Sequence, residues 1–410
     1  MSQRFKLVLV DQAVAFGGSI VVLAHLLKFL DRDRYSCVLI TAMPQDVLDT
    51  LFDSSVRIVR LKPAIDYSSR SRMAHRLRWL GPLGTRLGAY CFTALSFAGN
   101  LSYRWKLWQV LRRERPQLVH INNNCFFSAE VCALAGYPYV FHYHGLLDIP
   151  LPAWRRWVLS RAARFISISH YVTRTHERHR DPRFQPVETI LNPAPKPVDL
   201  GPEQLATVKK QWIGARDALV MGIFGRLVGW KGQLEFLRAF EKVRQRFPDI
   251  VALIVGDASD LGKDYETSLR NWVVEHKLAD SVVFAGYISD VGPLYQICDI
   301  VVHASIEPEP FGLVIVEAMS AGAAVVASSL GAAPEIVADG VTGLIADPRS
   351  PTQLEEALTR LVQDAPLRRQ LAHAGKAHAR RVYAPEKFAA AVEEIYRSAT
   401  SPPSGRPDGS

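Results

Sequence analysis

Two glutamates with seven residues between them, Glu309 and Glu317, stand out as residues able to do chemistry. They lie in Glu307-Pro-Glu-Pro-Phe-Gly-Leu-Val-Ile-Val-Glu-Ala-Met-Ser-Ala-Gly322. The apolar run DIVVHAS (299–305) before them reads as a strand. A Pro-rich loop follows, and then a helix that begins near Gly312 and stops at Gly322, a usual C-cap residue. In an open α/β sheet, ligands gather beyond the carboxyl ends of strands. Free N–H groups at a helix start attract phosphate. The backbone amides of 312–314 are therefore candidates to hold a diphosphate, and Phe311, Gly312 and Leu313 are candidate donor-binding residues. Glu309 sits just before that turn, where a carboxylate accepts hydrogen bonds from sugar hydroxyls. Glu317 lies one to two turns further on, within reach of a ribose on the same diphosphate.

A diphosphate leaving group needs cations. Gly225-Arg226-Leu-Val-Gly-Trp-Lys231-Gly232 follows one strand and precedes a helix. Arg226 can bond phosphate bidentately and Lys231 acts as a point charge. No residue set in the sequence is spaced to hold a metal, so metal-independent chemistry is expected. In the first half, Gly17-Gly18-Ser19 forms a glycine turn between the first strand and the first helix. Tyr139-Val-Phe-His142-Tyr-His144-Gly145 places two histidines on one side of a strand.

These segments resemble the retaining glycosyltransferases of glycosyltransferase family 4. The resemblance rests on the E-x7-E pair Glu309/Glu317, on AGAAVVASSLGAAPEIVADGVTGLIADP (321–348), and on the Gly225–Gly232 segment. Ala332 departs from it, since a second glycine is more usual after Gly331. The resemblance implies the GT-B fold, two Rossmann-like doubly wound parallel-sheet domains facing across a cleft. It implies a nucleotide-sugar donor as co-substrate, no cofactor and no metal. Glu309 would contact the donor sugar, orienting it rather than attacking it, and Glu317 the ribose. Arg226 and Lys231 would stabilise the departing diphosphate. Gly17 and Gly18 would lie near the donor phosphates and the acceptor. His144, with His142 as the alternate, would point at the donor sugar. Asn192 corresponds to the family's hinge asparagine.

The elements that must position these residues are legible as alternating strands and helices. Strand candidates in the first half are FKLVLVD, YSCVLITA (35–42), VRIVRL (56–61), LVHINNN (118–124), YVFHYH (139–144) and RFISIS (164–169). The second half repeats the alternation from ALVMGIFGRL (218–227) to GLIADP (343–348), with a helix from Gln233 ended by Pro248. The chain of 410 residues is long enough for two domains. The expected division is residues 1–195, joined by a returning helix at 384–398, and residues 196–383. NPAPKPVDL (192–200) reads as the linker, and 399–410 as a disordered Pro/Gly/Ser tail.

Five scattered cysteines without a CxxC pair fit a reducing cytoplasm. The N-terminus reads as a first strand rather than a signal peptide. Charge is uneven: residues 1–200 hold 27 Lys and Arg against 14 Asp and Glu, while the remainder holds 22 against 26. Residues 57–115 alone carry 13 basic residues and two acids, interleaved with Trp79, Tyr90, Phe92, Phe97, Tyr103, Trp105 and Trp108. Leu87–Tyr103 is a 17-residue uncharged run, at the lower edge for a membrane span and better read as a buried or interfacial helix. This mixture suits an anionic membrane surface, with Arg155, Arg156, Arg161 and Arg164 extending it. It would also suit RNA, but no recognition motif accompanies it. The expectation is thus a hexosyltransferase acting on a lipid-linked or polysaccharide acceptor at the inner membrane face, in envelope polysaccharide or glycolipid synthesis. The alternatives are a GT-B nucleotide-sugar epimerase, which needs acids that the first domain lacks, and a silent sugar-nucleotide- or RNA-binding module.

Overall fold

The computed structural model describes residues 4–13, 17–63, 99–123, 125–146, 151–178, 181–258 and 263–400. Contacts divide the chain into two compact units. One comprises Met1–Ile168, Val172–Ile190 and Phe388–Ser410, the other Ser169–Tyr171 and Leu191–Lys387.

The first unit is built on seven strands: β1 (Phe5–Asp11), β2 (Tyr35–Thr41), β3 (Arg57–Arg60), β4 (Leu118–Asn122), β5 (Tyr139–Tyr143), β6 (Arg164–Ser167) and β7 (Val187–Thr189). They pair in parallel in the order β3-β2-β1-β4-β5-β6-β7. The second unit has six: β8 (Leu219–Phe224), β9 (Ile250–Val255), β10 (Val282–Gly286), β11 (Ile300–His303), β12 (Ala324–Ser328) and β13 (Leu344–Ala346). Their order is β10-β9-β8-β11-β12-β13, again all parallel. Each unit is therefore a Rossmann-like doubly wound sheet, the pair of folds expected from the sequence.

Apolar runs explain the central strands. Every residue of β4, β5, β9 and β12 is buried, as required of parallel strands covered on both faces. The helices follow a different period. In Gln233–Arg246, Phe236, Leu237, Phe240 and Val243 share the inward face and join Ile223, Ile254 and Val302 in the core of the second unit. In both sheets the strand order reverses beside the first strand, between β1 and β4 and between β8 and β11. Ligand crevices form beyond the carboxyl ends of strands at such reversals. Gly17–Gly18 follows β1, Asn122 ends β4, Arg226 follows β8, and Glu309 follows β11. All the candidate loops thus fall at one of the two reversal points, with His144 one strand further along.

The last helix runs Pro385–Thr400, two residues into the segment whose composition reads as a disordered tail. Its final turn is held: Thr400 Oγ1 donates to the Tyr396 carbonyl at 2.9 Å, and Arg164 Nη2 donates to the Ser398 carbonyl at 3.1 Å. Arg164 is thereby committed to docking this helix and does not extend the basic surface. Most of the uncharged run at 87–103 lies outside the described residues, as do Trp79, Tyr90, Phe92 and Phe97. Among the described residues no helix is long and apolar enough to cross a membrane.

Candidate active site

In the second unit, the chain leaving β8 turns at Gly225 (φ 131°), makes a single 3₁₀ turn over Gly229–Lys231, and enters the next helix through Gly232 (φ 74°). A Cβ at Gly232 would lie 1.9 Å from the Ala304 carbonyl oxygen, so only glycine lets the two loops meet. The Ile306 amide donates to the Trp230 carbonyl at 2.9 Å, tying the β8 loop to the β11 loop. This packing carries Lys231 to Glu309. Their Nζ and Oε1 are 2.7 Å apart, and the two side chains are only 16% and 9% exposed.

The same oxygen collects two further donors. His303 Nε2, at the end of β11, is 2.9 Å away, and the Ser305 hydroxyl also donates to it. Burial opposes the charge on Glu309, yet His303 and Lys231 outweigh it and hold the carboxyl well below its usual range. A short loop carrying an ionised, buried carboxylate must be fixed from behind. Gly331 does this: a Cβ there would lie 2.4 Å from both the amide nitrogen and the carbonyl oxygen of Glu309. The Ala332 amide then donates to that carbonyl at 3.0 Å. Ala332 itself has φ −88° and is fully buried, so this backbone needs no second glycine.

The helix Leu313–Ala321 begins at Gly312 (φ 104°) and ends at Gly322 (φ 93°), as its sequence signals require. Ile315 N–H turns back to the Gly312 carbonyl at 3.0 Å. The earlier amides point out of the helix end, where an anion is favoured. Phe311 is buried and meets Tyr383 edge-on at 6.0 Å between ring centroids. Glu317 is the one charged residue of this helix. Tyr295 donates its hydroxyl to Glu317 Oε2 at 2.7 Å, and the tyrosine ring stacks on Phe224 at 3.9 Å. Burial pushes the Glu317 carboxyl up, against the Tyr295 hydrogen bond and the Lys231 charge. Arg226 is exposed, and its carbonyl accepts from Gln233 Nε2 at 2.9 Å. Among the described residues no carboxylate pairs with its guanidinium.

Gly17, Gly18 and His144 belong to the first unit. Gly17 caps the first helix with extended backbone, φ −166° and ψ 170°, and a Cβ there would meet nothing within 4 Å. Neither conformation nor packing in the described chain demands glycine at that point. The two histidines separate clearly. His142 is 1% exposed, with Nδ1 3.3 Å from His120 Nε2, while His120 Nδ1 is 2.8 Å from the Tyr396 hydroxyl. His144 stands just beyond the end of β5, half-buried, with Nε2 2.9 Å from Asn122 Oδ1. Burial, and then His120, push its pKa down to about 3. Asn192 is buried in the irregular segment before the second unit's first helix.

Sequence reasoning named Glu309, Lys231 and Glu317 but not His303, Ser305 and Tyr295, which touch them, nor Asn122 and Asp11 behind His144. A signal existed for two of these: His303 and Ser305 are the polar residues of an otherwise apolar run, at alternate positions at its carboxyl end.

Known proteins resemble this chain in sequence and in fold. The family described as "Glycosyl transferases group 1" matches residues 208–378, and that described as "Glycosyltransferase Family 4" matches residues 16–195. A D-inositol 3-phosphate glycosyltransferase of Stackebrandtia nassauensis is 32% identical over 226 residues, 52% of this chain and 50% of that protein. A lipopolysaccharide 1,2-N-acetylglucosaminetransferase of Salmonella typhimurium is 34% identical over 185 residues, 44% of this chain and 48% of that protein. The chain spans about half the length of the curated relatives it matches. Among solved structures, Anabaena HepE in complex with UDP and glucose superimposes with a TM-score of 0.75 at 23% identity, covering 96% of this chain and all of HepE, a likeness of fold. The two family matches between them take in both units and every candidate residue, and the chain belongs to glycosyltransferase family 4.

Proposed function

We propose that this protein is a retaining glycosyltransferase that moves a hexose from a UDP- or GDP-sugar to a lipid-linked or polysaccharide acceptor in envelope polysaccharide or glycolipid synthesis. The observation that carries the reading is the buried Glu309 carboxylate, kept ionised by Lys231, His303 and Ser305 beside the start of the Leu313–Ala321 helix. With three donors on Oε1, Oε2 is left to accept from sugar hydroxyls. The helix start takes the diphosphate, and Glu317, oriented by Tyr295, takes the ribose. Arg226 and Lys231 supply the positive charge for the leaving group, so no metal and no cofactor is required. Catalysis then rests on positioning and charge stabilisation, with no protein nucleophile. In the first unit, Gly17 and Gly18 leave backbone room for phosphate or acceptor, and His144 meets a sugar hydroxyl.

The named ligands of HepE, UDP and UDP-glucose, make UDP-glucose the first donor to try. The names of the two relatives make D-inositol 3-phosphate and lipopolysaccharide the first acceptors to try. The test is a thermal-shift screen of UDP, GDP, ADP and their sugars, followed by mass spectrometry and proton NMR of the product formed with the donor that binds. Glycosylated acceptor with inverted anomeric configuration overturns the retaining assignment, and epimerised donor without transfer overturns the whole reading.

We further propose peripheral docking on the cytoplasmic face of an anionic membrane through the first unit. Trp105 and Trp154 are 58% and 44% exposed, each in a stacked pair with Trp108 and Trp157 respectively. Arg112 lies over Trp108 and Arg161 over Trp157, and the helices bearing the two pairs both pack on Phe126–Ala135. Paired indoles flanked by arginine suit the headgroup layer, where the ring seats and the cation meets phosphate.

A further inference from the structure

His144 has a supporting chain of its own that the family match does not assign. Asn122 is fully buried at the end of β4, between β1 and β5. Its Nδ2 lies 2.5 Å from Asp11 Oδ2 and 3.2 Å from the Ser19 carbonyl oxygen. A carbonyl can only accept, so the atom facing Ser19 must be the amide nitrogen, whatever the protonation of Asp11. Asp11 is itself anchored, since its Oδ1 accepts from the Ala13 amide at 2.7 Å. With the amide orientation fixed, Oδ1 is the atom 2.9 Å from His144 Nε2. That oxygen has no proton to give, so the histidine must donate.

We propose that Asn122, held by Asp11 and the Ser19 carbonyl, is a positioning residue that fixes His144 as its Nε2–H tautomer and presents Nδ1 as a bare hydrogen-bond acceptor. The neutral ring follows from burial and the neighbouring His120, which depress its pKa to about 3. His142, whose ring centroid is 4.3 Å from that of His144, has its Nδ1 directed at His120 and leaves the orientation to Asn122. A neutral ring with its proton on Nε2 accepts a hydrogen bond from a hydroxyl at Nδ1 and cannot protonate a leaving oxygen there. His144 therefore orients a hydroxyl and is no general acid. This rests on the reading above, in which the hydroxyl belongs to a sugar.

The test separates the two. Long-range ¹H–¹⁵N spectra of the full, ¹⁵N-histidine-labelled chain, with His144 assigned through His144→Gln, report the tautomer with no substrate present. The expected spectrum has a protonated Nε2 and an unprotonated Nδ1, and the opposite tautomer overturns the proposal while leaving the transferase reading intact. Absence of transfer in the wild type, with the expected tautomer, overturns the transferase reading alone. Asn122→Ala is expected to lose the slowly exchanging Nε2 proton and about tenfold in kcat/KM, the net contribution of one hydrogen bond. Asp11→Ala removes one of the two groups that orient the Asn122 amide while leaving Asn122 and His144 in place, and it is expected to lower the Nε2 proton signal and kcat/KM together. Wild-type kcat/KM in Asn122→Ala, or a lost proton signal with wild-type kcat/KM in Asp11→Ala, also overturns the proposal. Should Asn122→Ala fold poorly, the wild-type spectrum and Asp11→Ala still decide.

Discussion

Replacing Lys231 with methionine keeps the length and apolar stem of the side chain and removes only its charge. The consequence follows from what remains around Glu309. The side chains of Glu309 and Lys231 are only 9% and 16% exposed, so the pair is essentially buried. Removing one member of a buried pair generally costs ~3–5 kcal/mol, because the other charge is left in a poor solvent. Here His303 and Ser305 still donate to Oε1, which places the cost near the lower end, about 3 kcal/mol. For a unit of this size, that lowers the melting temperature by roughly 6–12 °C. The pH dependence gives a second check. A carboxyl with a depressed folded pKa contributes stability that is present above its unfolded value, ~4.3, and is lost as pH falls through the folded value. Lys231→Met raises that folded value towards normal, so the acid-dependent part of the stability shrinks and the variant loses less on acidification than the wild type. Thermal melts from about pH 2 to about pH 8 measure both effects. In the double variant Lys231→Met/Glu309→Gln no charge is left unpaired. Most of the lost stability should return, while transfer, which the single change lowers by about 10²–10³ in kcat, stays lost. A melting temperature of Lys231→Met within about 1 °C of wild type would refute the buried-pair argument. Restored transfer in the double variant would refute the role given to Glu309.

Three further outcomes follow from the same geometry. Gly331→Ala pushes a methyl against both backbone polar atoms of Glu309, at 2.4 Å, in a residue with φ 67°. It is expected to destabilise the second unit and abolish transfer, and a variant with wild-type melting and turnover argues against a fixed Glu309 loop. Tyr295→Phe removes the hydrogen bond that opposes burial at Glu317, so that carboxyl titrates still higher. Nucleotide affinity by calorimetry should fall about fivefold, one ordinary hydrogen bond's worth, and unchanged affinity detaches Glu317 from the ribose. Trp105→Ala with Trp154→Ala should lose co-sedimentation with anionic vesicles while keeping transfer to a soluble acceptor. Equal recovery of the wild type with anionic vesicles and with no vesicles at all removes the docking proposal.

The repeating pattern of apolar runs and amphipathic stretches was enough to determine two parallel α/β units, because a strand buried on both faces and a helix buried on one leave different periods in the chain. The Gly312 and Gly322 limits of the site helix were equally local, each set by a residue with positive φ. So was the placing of Arg226, Lys231 and Glu309 on loops at strand ends. What the chain could not declare was which side chains close around them. Lys231 and Glu309 are 78 residues apart, and Asp11 and Asn122 are 111 apart. They meet because parallel pairing sets β8 beside β11 and β1 beside β4, and, in the second unit, because Gly232 lets the adjoining loops approach to contact. The final turn of the last helix shows the same limit: its composition reads as tail, but docking by Arg164, remote in sequence, keeps it helical to Thr400. Local sequence thus determined the elements and the loops at the carboxyl ends of the strands, while the charge on Glu309 and the proton on His144 were decided by neighbours that only strand order and register supply.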